Sequence, residues 1–258
     1  MPRYDFRSPR LFVDTPLTVG AAIPLTRDHA HYLLGVLRRQ PGDHVLVFNG
    51  RDGEWLAAVQ TVGKRDARLD LVEQTRPQGQ PCDLHYLFEP LKHARLDYMV
   101  QKAVEMGASR LQPVMTRHAQ SERVNLERMR ANTIEAAEQC GILHVPEVCQ
   151  PATLTALLND FDPARLLVFC DEDAEVKDPV AALTAARDAL PTKSAPLAVL
   201  IGPEGGFAEE ERDAILRAPR VVRLALGPRI LRADTADVAA LALVQAVLGD
   251  WRSCPPPA

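Results

Sequence analysis

The sequence predicts two domains: a small β-rich domain, read as a barrel, and an α/β domain built on a mostly parallel sheet. Three observations predict this. The stretch Arg76-Pro77-Gln78-Gly79-Gln80-Pro81 continues neither strand nor helix, because it packs two prolines and a glycine into six residues. Short β-rich runs dominate before it. Strand and helix patterns alternate after it. The division is residues 1–75, a linker at 76–82, an α/β domain at 83–250 and a flexible tail at 251–258.

In the first domain, Leu11-Phe12-Val13 is a short apolar strand. A helical piece from His29 to Arg38 puts Leu33, Leu34 and Leu37 on one face. His44 to Phe48 is β-rich and closes on the turn signal Asn49-Gly50. Trp55 to Val62 follows, and then Arg68 to Glu73 with period-two alternation.

In the second domain, Leu84 to Phe88 reads as a strand. Lys92 to Glu105 reads as an amphipathic helix, with Leu96, Met99, Val100, Ala103 and Val104 at i, i+3, i+4 spacing. Gly107 stands where a C-terminal cap belongs. A second helix covers Leu126 to Cys140. Leu166 to Phe169 and Leu197 to Ile201 are apolar without interruption, as expected of strands buried on both faces of a parallel sheet. Val221 to Leu226 is a further strand, and Thr235 to Leu248 a closing helix.

Composition narrows the class. The chain has 258 residues, 47% hydrophobic and 25% charged, which supplies a core and excludes intrinsic disorder. No apolar run is long enough for a transmembrane helix, and residues 1–7 hold no apolar stretch of a secretory leader. The expected compartment is the cytoplasm. The five cysteines include no Cys-x-x-Cys pair, against a disulfide framework or a zinc site. His29, His31, His93 and His118 show no metal spacing, so no metal is expected. The net charge of −4 argues against binding nucleic acid by bulk charge alone. Residues 1–80 carry 11 Lys/Arg against 9 Asp/Glu, a local excess of +2.

Three loops follow predicted strands: Cys170-Asp171-Glu172-Asp173, Gly202-Pro203-Glu204-Gly205-Gly206-Phe207 and Gly227-Pro228-Arg229-Ile230-Leu231-Arg232. Ligands of open parallel sheets bind beyond the carboxyl ends of strands. Glycines let a ligand approach the backbone, and backbone N–H and C=O groups suit the edge of a flat heterocycle such as adenine. A lone Gly-Pro-x-Gly-Gly also serves as a tight turn. Two such loops and an acidic third point to a site. No Gly-Lys-Ser/Thr follows, which speaks against a phosphate-binding loop. Asp234 or Thr235 is placed to cap the closing helix.

At these residues the sequence resembles a known family. Leu200 to Phe207 with acids at Glu209–Glu211, then Leu224 to Ala236, is similar to the C-terminal signature of the SPOUT methyltransferases, and more narrowly to the RsmE family. Lys92 to Gly107, Glu135 to Cys140, Arg10 to Val13, His31 and Val36-Leu37-Arg38 also match, and the resemblance runs in order along nearly the whole chain. Asp234 stands where the family usually has Glu.

The resemblance implies a trefoil-knotted SPOUT domain, an N-terminal PUA-like RNA-binding barrel and a homodimer with the closing helix in or near its interface. It implies S-adenosylmethionine-dependent methylation of N3 of a uridine in 16S ribosomal RNA of the small subunit. The cofactor would lie against Phe169, Glu172, Leu200, Ile201, Gly202, Pro203, Gly205, Leu226, Gly227, Ile230, Leu231, Thr235 and Ala236. Arg232 would supply a cation and Glu204 would accept or relay a proton. Arginine matches phosphate bidentately, so Arg3, Arg7, Arg10, Arg38 and Arg39 are the expected RNA contacts, with Tyr4 and Phe6 placed to stack on bases. Two other readings remain. One is methylation of another RNA atom, such as a ribose 2′-oxygen. The other is a non-catalytic RNA-binding assembly factor with a degenerate cofactor pocket. A nucleotide-phosphate binder is disfavoured by the missing P-loop lysine.

Overall fold

The computed structural model describes residues 8–62, 66–92, 94–119, 123–192, 195–203 and 205–252. Arg3, Tyr4, Phe6, Arg7, His93 and Glu204 lie outside the described residues. The chain forms two compact units. One holds residues up to Gln80 together with Ala137–Val145; the other holds Pro81–Ala136 together with the residues from Pro146 on.

The first unit is a five-stranded sheet of β1 (Arg10–Phe12), β2 (Ala22–Pro24), β3 (His44–Phe48), β4 (Glu54–Thr61) and β5 (Ala67–Arg76), in the order β1-β3-β4-β5-β2. β1 runs parallel to β3, and the other pairs are antiparallel. Alternate residues Val45 and Val47, Ala57 and Val59, and Leu69 and Leu71 face one core with Leu11, Ile23, Leu33 and Trp55. Along β4 and β5 this follows the period-two rule, while in β3 the intervening Leu46 and Phe48 are buried as well. The β3–β4 turn is held by Asn49, whose side-chain oxygen accepts from the amides of Arg51 (2.9 Å) and Asp52 (2.8 Å). The helical piece is α1 (Arg27–Ala30), running straight into a π-helical turn at His31–Val36.

The second unit contains β6 (Leu84–Phe88), α2 (Ala94–Glu105), β7 (Arg110–Met115), α3 (Leu126–Cys140), β8 (Glu147–Val148), β9 (Ala152–Thr153), α4 (Leu154–Asn159), β10 (Leu166–Cys170), α5 (Pro179–Ala189), β11 (Leu197–Ile201), α6 (Glu209–Leu216), β12 (Val221–Leu224) and α7 (Ala233–Val247). The last turn of α3 belongs to the first unit. The sheet order is β12-β10-β11-β6-β7-β8, with β9 also on β7, and every pair is parallel.

Both faces of this sheet are covered. Leu84, Tyr86, Phe88, Leu166, Val168, Leu197, Val199 and Ile201 pack with apolar residues of α2, α3, α5 and α7. The alternate residues Leu87, Leu167, Phe169, Ala198 and Leu200 pack with Leu154 of α4 and Ile215 of α6. Two buried faces are why these strands lack polar alternation. Gly107 ends the turn after α2 at φ +81°, a backbone conformation that side chains disfavour.

Candidate functional site

β10 lies between β11 and β12 in the sheet, although β11 and β12 follow it in sequence. The loops leaving these three strands are therefore neighbours in space. They enclose a cavity of about 450 Å³, within the usual range for a small-molecule site.

Among the expected cofactor contacts, Phe169, Glu172, Ile201, Gly202, Pro203, Leu226, Gly227, Ile230, Leu231 and Ala236 line this cavity, and so does Arg232. Leu200, Gly205 and Thr235 are not among its lining residues. Leu200 sits in the strand interior and packs into the α4–α6 side of the core. Gly205 is exposed, as is Thr235 on the first turn of α7. The cap of α7 also differs from expectation. Arg232, not Asp234 or Thr235, is the N-cap residue; its carbonyl accepts from the amides of Thr235 (3.0 Å) and Ala236 (2.8 Å). Asp234 is already helical and is paired instead with Arg95 at 3.1 Å. That hydrogen bond holds its carboxyl below the usual range. The Arg232 side chain makes no capping bond.

The walls are chemically distinct. Phe169 and Phe207 meet edge to face with centroids 5.5 Å apart, and both line the cavity. Gly227 has φ +92°, and a Cβ there would meet nothing within 4 Å, so its backbone borders open space. The acidic loop is held by Asp171. This carboxylate takes Arg212 at 3.0 Å and Arg223 at 2.7 Å, and the Asp173 amide bonds its other oxygen at 3.1 Å. Arg223 also donates to the Asp173 carbonyl. Sequence reasoning missed Arg212 and Arg223, because their partner lies more than 40 residues away. One turn beyond Ala233, Asp237 is fully buried, and burial pushes its carboxyl up to about 7. It acts on the titration of the Tyr86 hydroxyl, though neither group makes a hydrogen bond of normal geometry.

In the first unit, Arg10 is corrected from an RNA contact to a structural residue. Its guanidinium is buried, pairs with Glu54 at 2.8 Å and donates to the carbonyls of Ala137, Glu138 and Ile142. Four of its five N–H donors are spent inside the protein. Arg38 is exposed and holds a left-handed backbone conformation at φ 53°. Arg39 is partly buried.

Comparison with known proteins follows the same division. The RNA methyltransferase domain family matches residues 78–245, and the RNA methyltransferase PUA domain family matches residues 25–72. The chain is 30% identical to the ribosomal RNA small subunit methyltransferase E of Synechocystis sp., covering 93% of this chain and 78% of that protein. The chain belongs to the ribosomal RNA small subunit methyltransferase E family.

Its Rickettsia conorii relative is 28% identical over 92% of this chain and 94% of that protein. The crystal structure of the methyltransferase E from Neisseria gonorrhoeae bound to S-adenosyl methionine superposes with a TM-score of 0.81. It is 25% identical and covers 95% of this chain and all of that one. Family membership brings an α/β methyltransferase domain with a parallel sheet and an N-terminal PUA domain. Among the described residues, no group of three His, Cys, Asp or Glu is placed to hold a metal.

Proposed function

We propose that this chain transfers a methyl group from S-adenosylmethionine to N3 of a uridine in the 16S ribosomal RNA of the small subunit. The observation that carries the reading is the cavity at the ends of β10, β11 and β12. Its apolar aromatic wall, bare glycine backbone, acidic edge and Arg232 occupy one space. The family's names and the cofactor-bound Neisseria relative support it.

The residues fit such a cofactor. Phe169, Ile201 and Leu226 offer apolar surface to a flat base. The backbone at Gly227 is open for its hydrogen-bonding edge, and Gly202 lines the same cavity. The acidic loop, with Glu172, is placed for the ribose hydroxyls or the cationic amino end. When bound, the cofactor supplies an already electrophilic methyl carbon on a sulfonium. The protein's share is then positioning and management of one proton. Uracil N3 is an imide nitrogen and attacks as its anion, so a cation beside the base favours it. The Arg232 side chain is exposed at the cavity, makes no capping bond and is assigned that role. Glu204 is assigned to accept or relay the proton. Arg38 and Arg39, with Arg3 and Arg7, remain the assigned RNA contacts. The working form is a homodimer with α7 in or near the interface.

The test is mass spectrometry and primer extension on 16S ribosomal RNA from cells lacking the protein. Loss of one N3-methyluridine, restored by the wild-type chain and not by Arg232→Ala, is expected. A missing ribose 2′-O-methyl group instead would overturn the assigned atom. Full turnover by Arg232→Ala would remove that residue's role.

A further inference from the structure

One side chain that none of these assignments uses is bonded to a residue of the cavity wall. His118 lies in the loop after β7, and its Nδ1 is 3.3 Å from the carbonyl oxygen of Gly206, a cavity-lining residue. Two other bonds pin the same loop. Thr116 Oγ1 donates to the buried Glu89, just past β6, at 2.6 Å. The Arg117 amide donates to Glu211 at 2.8 Å. The second oxygen of Glu211 takes the Ala208 amide at 3.0 Å, so one carboxylate joins this loop to the start of α6. His118 is itself exposed. An exposed side chain on a loop fixed from both sides is how folds present reactive groups.

The contact with Gly206 is a hydrogen bond only in the tautomer protonated at Nδ1, because a carbonyl oxygen only accepts. In the neutral ring Nε2 is then unprotonated and carries the lone pair. Nearby carboxylates have other work: Asp171 is clamped by two arginines, Glu211 by two amides and Glu89 by Thr116. Among the described residues, the charged groups tied to this loop are Glu89 after β6, Glu211 on α6, and neighbouring Arg117, which pairs with Glu210 of α6 at 3.5 Å.

We propose that His118 is the proton acceptor for the substrate base, its Nε2 taking the proton of uracil N3. The N3–H bond breaks and its proton passes to Nε2. The electron pair left on N3 forms the new bond to the methyl carbon, and the carbon–sulfur pair departs onto sulfur. Arg232 and His118 then divide the work, one stabilising the anion and the other removing the proton. This rests on the N3-methylation reading, and it replaces Glu204 as first acceptor.

Two measurements test it. The first follows methylation of 30S subunits against pH for wild type, His118→Gln and His118→Ala. Wild type should show an acid limb, the signature of a general base. His118→Gln keeps a polar side chain but no base; it should fall by about 10²-fold or more and lose that acid limb. Added imidazole should restore part of the His118→Ala rate. The second measurement needs no turnover. Nitrogen-15 spectra of the cofactor-free protein are recorded with a short RNA hairpin carrying the target uridine. Nε2 should shift with Nδ1 unmoved, and a hairpin already methylated at N3 should leave Nε2 unchanged. An acid limb retained in His118→Gln, or weakened RNA binding with turnover per bound RNA intact, overturns the proposal. A wild-type chain that forms no N3-methyluridine overturns instead the reading on which it rests.

Discussion

Arg10 Nε lies 2.8 Å from the Glu54 carboxylate, and the two side chains are only 3% and 2% exposed. Glu54 also takes Arg76 at 2.7 Å. The burial of Glu54 works against its charge, but the bonds from Arg76 and Arg10 outweigh that and hold its carboxyl below the usual range. The folded state therefore binds fewer protons here than the unfolded one. Stability from this group is present above the ordinary carboxyl range and is lost as pH falls through the folded value.

Arg10→Ala should destabilise the protein by about 3 kcal/mol, since it leaves a buried carboxylate half paired. Urea unfolding at neutral pH measures this. The folded fraction should bind RNA as wild type does. A variant of wild-type stability with weakened RNA binding would return Arg10 to the RNA surface.

Asp171→Asn removes the charge that Arg212 and Arg223 share. Both arginines are partly exposed, so the stability loss should be modest, about 1–2 kcal/mol after discounting for solvent. The larger effect should be on the cavity. S-adenosylmethionine affinity measured by calorimetry should fall by about tenfold or more as the acidic loop loosens. Unchanged affinity would mean the loop does not shape the site.

Asp237 reverses the sign seen at Glu54. Its folded value near 7 is above the unfolded one, so the folded state binds more protons between about pH 4 and 7. Stability from this position falls as pH rises through that window and stays low above it. Asp237→Asn should remove the penalty, with a gain over wild type that grows to a few kcal/mol, on the order of 4, at pH 8. Unfolding midpoints from pH 4 to 8 give the difference; a pH-independent difference would show that Asp237 stays ionised.

At Gly202 an added Cβ would lie 2.3 Å from the Phe207 ring. Gly202→Ala should push that ring off Phe169 and into the cavity. We expect cofactor affinity to fall by at least tenfold while the unfolding midpoint moves little, because Phe207 is only partly buried. Equal loss of both would place the effect in the core instead.

Much of the α/β unit was readable locally. Leu166–Phe169 and Leu197–Ile201 have no polar alternation, and strands buried on two faces need none. β7 was missed because Arg110, Gln112 and Pro113 break its apolar run. α6 was missed because its first turn is Glu209-Glu210-Glu211 and it buries only Ile215. β8 and β9 have two residues each, too short for any period to register.

The amino-acid order alone determined the class of each half and the three glycine- and acid-rich turns, because periodicity and turn chemistry act over a few neighbours; the individual cavity-lining residues came from the resemblance to the methyltransferase family. It did not determine the direction of Arg10, the clamp on Asp171, the cap at Arg232 or the meeting of His118 with Gly206. Those depend on which strands lie side by side. β10 between β11 and β12, and β6 between β11 and β7, join residues tens of positions apart. Only the packed sheet brings such charges and ring nitrogens within bonding distance.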